Sequence, residues 1–248
     1  MIPKRTTDLI HKREVLTRIV SECAKTDLQI FCKAFLTNHF LLDFSALHKI
    51  LFHEMNKTDY NRRLVIKAPR KSGKTTLVVL GYALWSLATK RRKFLLYIKE
   101  TDGKAKSDVK KIRREIESNG MLIKTFPGLI PKRGKLIKRW EKLSDNMIYF
   151  DNGTIVAAFG KDSALRGINE LGQRPDCIIY DDPQGNKEKE SINLQEKDNE
   201  NFDTEIRNLG GPGQSLDIIL IGTMISFGCL IEYVANKPGW EKIEVDAV

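Results

Sequence analysis

The run Leu64-Val65-Ile66-Lys67-Ala68-Pro69-Arg70-Lys71-Ser72-Gly73-Lys74-Thr75-Thr76 decides the fold. A short β-rich stretch leads into a loop ending in Gly-Lys-Thr. Thr75 to Ala88, which follows, is apolar enough for a helix buried on most of its surface. Strand, loop and helix in that order are the context a phosphate-binding loop requires. Gly73 allows the backbone to approach an anion closely, and the helix N-terminus offers unpaired N–H groups and a positive dipole end. Lys74 is placed to reach β- and γ-phosphates, and Thr75 to give its hydroxyl to Mg²⁺. The expected nucleotide-binding set is Ala68, Pro69, Arg70, Lys71, Ser72, Gly73, Lys74, Thr75 and Thr76. One departure is plain: the first glycine of G-x-x-x-x-G-K-[ST] is Ala68, the smallest replacement, yet one that narrows the allowed backbone angles. Arg70 is favoured as an extra transition-state contact, whereas Lys71 stays open between that role and solvent.

A second stretch supplies the other half of a nucleoside triphosphatase site. Cys177-Ile178-Ile179-Tyr180 is an apolar strand running into Asp181-Asp182. Open α/β sheets place ligands at the carboxyl ends of their strands, which is where Asp181 falls. Asp181 is expected to hold Mg²⁺ through water. Asp182 is the expected base that orients or deprotonates the attacking water, although glutamate is the usual residue there and aspartate is one methylene shorter. A turn-forming Asp-Asp-Pro is the bland alternative, and it does not explain the strand aimed at the pair.

Outside these motifs the chain reads as strands alternating with helices. Residues 7–58 carry apolar residues at helical spacing, such as Leu16, Ile19, Val20 and Cys23. Phe94 to Ile98 is a second buried strand. Ala105 to Ser118 is a charged helix with Val109, Ile112 and Ile116 as its apolar stripe. Met147 to Phe150 and Thr154 to Phe159 form a hairpin around Asn152-Gly153, a pair suited to positive backbone angles. Residues 185–208 read as a loop and a solvent-exposed helix, broken by Gly210-Gly211-Pro212-Gly213. Ile218 to Ile221 is a further apolar strand, ended by Gly222-Thr223. The expected fold class is α/β, with a mainly parallel central sheet flanked by helices and preceded by an N-terminal helical segment. The domain plan is a single unit over 1–248, with a helical subregion at 1–60 and the core at 61–248.

Composition narrows the class. The apolar share of 41% argues against global disorder. The longest mainly apolar run, Leu77 to Ala88, is too short to span a bilayer, and the first residues lack the apolar stretch of a signal peptide. Cys23, Cys32, Cys177 and Cys229 read as free thiols in a reducing compartment. His11, His39, His48 and His53 have no zinc-ligand spacing. Net charge is +10, and residues 90–142 alone hold 18 Lys and Arg against 6 Asp and Glu. That concentration suits a polyanion such as DNA or RNA, with a merely solvated basic face as the alternative.

The motifs taken together resemble one family. Ala-Pro-Arg-Lys-Ser-Gly-Lys-Thr-Thr, then Leu165-Arg166-Gly167, then Arg174-Pro175-Asp176 running into Ile178 to Pro183, then Ile221-Gly222-Thr223 and Gly239-Trp240, resemble the ATPase half of the large terminase subunit of tailed bacteriophages. The likeness covers roughly residues 60–240. It implies an ASCE-type P-loop NTPase that uses ATP and Mg²⁺ to drive double-stranded DNA into a procapsid. It also implies portal protein and a small terminase subunit as partners. A ring on the capsid is implied, formed by a chain that is monomeric in isolation, and so is a viral protein working in the host cytoplasm with no membrane. By match, Arg166 is the arginine finger acting on a neighbouring subunit's ATP, with Arg174 its rival. Gly222 and Thr223 match the coupling motif that senses the γ-phosphate. The family's second, RNase H-like nuclease domain is expected to be absent, since 25 residues follow Thr223. Its adenine-binding element is not evident. Phe35, Phe40 and Phe44 offer a stacking aromatic, or a helical core uses them.

Two other readings stand beside this one. A superfamily 2-like helicase needs a second RecA-like domain with further arginine motifs. A nucleic-acid-binding module with a degenerate P-loop would explain Ala68 and the aspartate in place of glutamate.

Overall fold

Polar residues at the ends of apolar runs set the helix starts. The computed structural model describes residues 4–132 and 146–245, and these divide into two compact units, 1–57 and 58–248. The first unit is helical: α1 (Lys4–Thr26), α2 (Leu28–Phe35) and α3 (Ala46–Asn56). Asp27 caps α2 by accepting the Ile30 N–H, and Ser45 and His48 form a capping box on α3. Phe35 and Phe44 are buried in this unit, and Phe44 packs edge-on against Phe52 at 4.6 Å. Both are core residues of the helical unit.

The second unit holds β1 (Arg63–Lys67), a π-type turn (Thr76–Tyr82), α4 (Ala83–Ala88), β2 (Phe94–Lys99), α5 (Asp102–Ser118) and α6 (Gly120–Thr125). It continues with β3 (Met147–Tyr149), β4 (Ile155–Gly160), β5 (Cys177–Asp181), α7 (Asn186–Lys189) and α8 (Ile192–Thr204). β6 (Asp217–Gly222), α9 (Leu230–Ala235) and β7 (Glu241–Glu244) complete it. The fold is α/β. Seven strands form one sheet in the order β3-β4-β2-β5-β6-β1-β7, and every pairing is parallel except β3 with β4. The central strands β5 and β6 are buried along their whole length, as continuous apolar runs covered on both faces must be. The edge strand β7 buries only Ile243, and its charged neighbours discourage further pairing.

Three local readings change. The helix after the 68–75 loop begins as a widened π turn, with Leu77 to Tyr82 all buried; such turns concentrate at functional sites. In the hairpin only Gly153 takes a positive φ, of 87°. Asn152 instead uses its side chain, whose oxygen accepts the Thr154 N–H at 3.0 Å. The helix read as solvent-exposed within 185–208 is α8, which buries Gln195, Asp198 and Phe202. Of the basic stretch 90–142, residues 133–142 lie outside the described residues. Among the described residues no helix is long and apolar enough to cross a membrane.

Candidate functional site

Strand order brings the motifs together. β6 lies between β1 and β5, so the ends of all three strands meet at one edge of the sheet. The Ala68 N–H donates to the Gly222 carbonyl at 3.1 Å, and the Asp182 N–H donates to the Ile221 carbonyl at 2.8 Å. A cleft of about 1010 Å³ opens there, lined by residues 70–76 and by Lys99, Glu100, Lys104, Asp108, Lys111, Asp182, Lys187 and Thr223 among others. Seven Lys and Arg side chains line it (Arg70, Lys71, Lys74, Lys99, Lys104, Lys111, Lys187) against three carboxylates, Glu100, Asp108 and Asp182. That excess of cations suits an anionic ligand.

The 68–75 loop is set by backbone angles. Gly73 sits at φ 76° and Lys71 at φ 64°, both in the left-handed region. Ala68 does not, so the glycine usual at its position is not required by the backbone here. Lys74 is buried, and its ammonium lies 3.0 Å from the Thr223 hydroxyl and 3.3 Å from the Pro69 carbonyl. Thr223 in turn donates to the Ala68 carbonyl at 3.1 Å. Arg70 and Lys71 are exposed at the lip, and the Ser72 hydroxyl is buried with no hydrogen-bond partner. Thr76 lines the cleft at the first turn of the helix.

The two aspartates diverge. Asp181 is wholly buried, and its Oδ1 accepts the Thr75 hydroxyl at 3.2 Å. Its Oδ2 faces the Tyr97 hydroxyl at 2.9 Å and the Lys99 ammonium at 3.1 Å. Burial pushes the Asp181 carboxyl above the usual carboxylate range, Lys99 pulls against that shift, and the Asp182 charge adds to it. Asp182 faces the cleft at φ 40°, a conformation that costs a side-chain-bearing residue about 1–3 kcal/mol. Its Oδ1 accepts the Thr223 N–H at 3.2 Å. A Cβ on Gly222, beside Thr223, would come 2.9 Å from Ile231 Cδ1, so the end of that side chain would have to shift to admit one.

A family scan and a search of curated proteins each find no match to this chain. The geometry therefore carries the functional reading.

The structure does not bring every sequence candidate to the cleft. Arg166 is 73% exposed, is paired with Glu205 at 3.0 Å, and is not among the cleft-lining residues. Arg174 is half-buried, also outside the lining, with its carbonyl accepting the Gln214 amide.

Sequence reasoning missed the group behind Asp181. Lys99 bridges Asp181 and Asp108, with 2.6 Å to Asp108 Oδ2, and Lys111 reaches Asp108 Oδ1 at 2.6 Å. The Tyr97 hydroxyl lies 2.9 Å from both carboxylates and, having one proton, donates to one at a time. Two signals were available. Lys99 is a polar residue ending a buried apolar strand, the same pattern that singled out Asp181. Asp108 stands on the apolar stripe of α5, between Ala105 and Ile112, and is buried with it.

Oxygen donors suited to a hard cation are present at one point: the Thr75 hydroxyl and the Asp181 carboxylate, 3.2 Å apart. Among the described residues no group of three or more His, Cys, Asp or Glu forms a protein-only metal cage. Mg²⁺ does not need one, since one or two carboxylates plus substrate phosphates usually hold it.

Proposed function

We propose that this chain is the ATPase motor domain of a large terminase subunit of a tailed bacteriophage, a P-loop NTPase that couples ATP hydrolysis to translocation of double-stranded DNA into a procapsid. One observation carries the reading. Segments that follow three separate strands meet at a cationic cleft: Thr223 bonds both Lys74 and Asp182 there, and Thr75, in the lining, bonds the buried Asp181 behind it.

In this reading the 70–76 loop wraps the β- and γ-phosphates, and Lys74 exchanges its Thr223 and Pro69 contacts for phosphate oxygens. Arg70 at the lip adds a cation to the charge developing on the transferred phosphoryl group. Thr75 and Asp181 would hold Mg²⁺, which when bound neutralises phosphate charge. Asp182 accepts a proton from the attacking water, whose oxygen bonds to the γ-phosphorus as the bond to the β–γ bridging oxygen breaks, giving ADP and phosphate. Thr223 touches both Lys74 and Asp182, so a change at the γ-phosphate alters its contacts directly. Gly222 and Thr223 thus fit a coupling role. Arg166, exposed and away from its own cleft, suits a finger inserted into a neighbouring subunit's site in a ring. Portal protein and the small terminase subunit belong to the same proposal, as does the host cytoplasm as the place of work.

The test is Mg²⁺-dependent ATP hydrolysis by the full chain. Lys74→Ala and Asp182→Asn are each expected to lower turnover by about a hundredfold or more. Hydrolysis that survives both substitutions would remove the site assignment. Absence of hydrolysis under all conditions, assembled or not, would favour a nucleic-acid-binding module with an inactive loop.

A further inference from the structure

A second cluster of charged side chains lies beneath one wall of the cleft. Lys161, the residue after β4, is buried, and its ammonium is 2.6 Å from Glu188 Oε1 and 2.6 Å from Asp198 Oδ2. Asp198 Oδ2 also accepts the Gln184 side-chain N–H at 3.0 Å, and Gln184 Oε1 accepts the Leu230 N–H at 2.7 Å. Glu188 Oε2 accepts the Gly185 N–H at 2.8 Å. Gln195 donates to the Glu188 carbonyl at 2.7 Å and to the Ser226 hydroxyl at 2.9 Å. One ammonium therefore fixes two carboxylates that hold the 184–188 segment following Asp182. Through Gln195 the same network reaches the segment following Thr223.

No step of hydrolysis uses Lys161. Burying an ammonium among carboxylates is also a poor way to gain stability, because the lost hydration offsets much of the attraction. What a fully bonded buried network does supply is a single geometry. The neighbouring backbone needs one. Asp182, at φ 40°, occupies a conformation that persists only where its surroundings over-determine it. On one side its own N–H and carboxylate are tied to Ile221 and Thr223. On the other, Pro183 is followed at once by Gln184, whose amide is held at both ends.

We propose that Lys161 is a positioning residue which, through Asp198 and Gln184, holds Asp182 in its left-handed conformation and sets its carboxylate against the Thr223 amide. Its effect on turnover rests on reading the cleft as an ATPase site; its effect on geometry does not.

Lys161→Met alone leaves two buried carboxylates facing each other and is expected to unfold the chain. The informative protein is the full chain carrying Lys161→Met, Glu188→Gln and Asp198→Asn together, which removes all three charges and keeps similar shapes. Once folding is checked by thermal melting, two readings are taken. The Thr223 amide is expected to exchange with deuterated solvent about tenfold faster than in wild type, because its acceptor on Asp182 is no longer held. The kcat for ATP is expected to fall about tenfold or more while binding of a non-hydrolysable ATP analogue changes by less than about threefold. Lys161→Arg should keep both readings near wild type. If the triple variant does not fold, Gln184→Met cuts the same link with the ion cluster intact and is judged by the same two readings. Wild-type exchange at Thr223 in a folded variant overturns the proposal, as does faster exchange with wild-type kcat. Should wild type and Lys74→Ala hydrolyse ATP equally, the ATPase reading falls, and the Thr223 exchange alone decides what Lys161 holds.

Discussion

The Lys74 ammonium lies 3.0 Å from the Thr223 hydroxyl, although 149 positions separate them in the chain. The same threonine donates its N–H to Asp182 and its hydroxyl proton to Ala68. Three motifs are thus joined through one side chain. Thr223→Val keeps the shape and removes the hydroxyl. It is expected to cost about 1–2 kcal/mol of stability from the two hydrogen bonds it removes, read by urea unfolding. Turnover should fall about tenfold with KM little changed, since the hydroxyl that takes Lys74 back when the phosphates leave is lost from the coupling path. A wild-type kcat would show that the contact is incidental.

Asp108 links the cleft to α5. Burial works against its ionisation but is outweighed by its bonds to Lys111 and Lys99, so its carboxyl is held below the usual range. A depressed carboxyl contributes stability that is present above its unfolded value of about 3.9 and is lost as pH falls through the folded value. The stability gap between wild type and Asp108→Asn should therefore be constant well above about pH 3.9 and shrink as pH falls below that value and through the lower, folded one. A gap independent of pH would mean that the bonds to Lys99 and Lys111 carry no net charge interaction.

At the opposite end of the sheet, Arg92 and Asp217 form a buried ion pair, and Asp217 also accepts the Arg62 N–H at 3.1 Å. Arg92→Met strands a buried carboxylate and is expected to cost about 3–5 kcal/mol in denaturant unfolding. Turnover per folded molecule should be unchanged, because these residues lie at the strand starts. A selective loss of turnover would contradict that placement.

If Arg166 serves a neighbouring subunit, Arg166→Ala and Lys74→Ala proteins should each be slow alone and regain turnover when mixed, since each supplies what the other lacks. No recovery at high protein concentration would remove Arg166 from the proposal.

α5 presents Lys110, Lys111 and Arg114 to solvent, with Arg113 half-buried beside them. Reversing these four charges should flatten the dependence of DNA affinity on salt, by nearly one unit of log–log slope for each DNA phosphate that the protein no longer neutralises. An unchanged slope would place DNA elsewhere.

Much of the fold was legible because local chemistry wrote it. β1, β5 and β6 are unbroken apolar runs, as buried parallel strands must be, and Gly73-Lys74-Thr75 marks the turn from strand to helix. Asp181 was legible for the same reason, as a carboxylate ending such a run. The π turn at Thr76–Tyr82 was not, because an apolar stretch buried all round carries no phase that distinguishes one helix type from another.

By itself, then, the sequence determined six of the seven strands, where the 68–75 loop lies and which side chains bear the charge; β7, with Ile243 alone buried, has no apolar run to mark it. Only the tertiary structure decided that β6 inserts between β1 and β5, because pairing order is set by long-range burial that leaves no local pattern. That insertion sets Thr223 against both Lys74 and Asp182. Tertiary contacts also bend Asp182 to φ 40° and draw Lys99, Asp108 and Lys161 into buried networks. Each of these depends on partners distant in the chain, and a buried charge is stable only where the fold delivers its counter-charge.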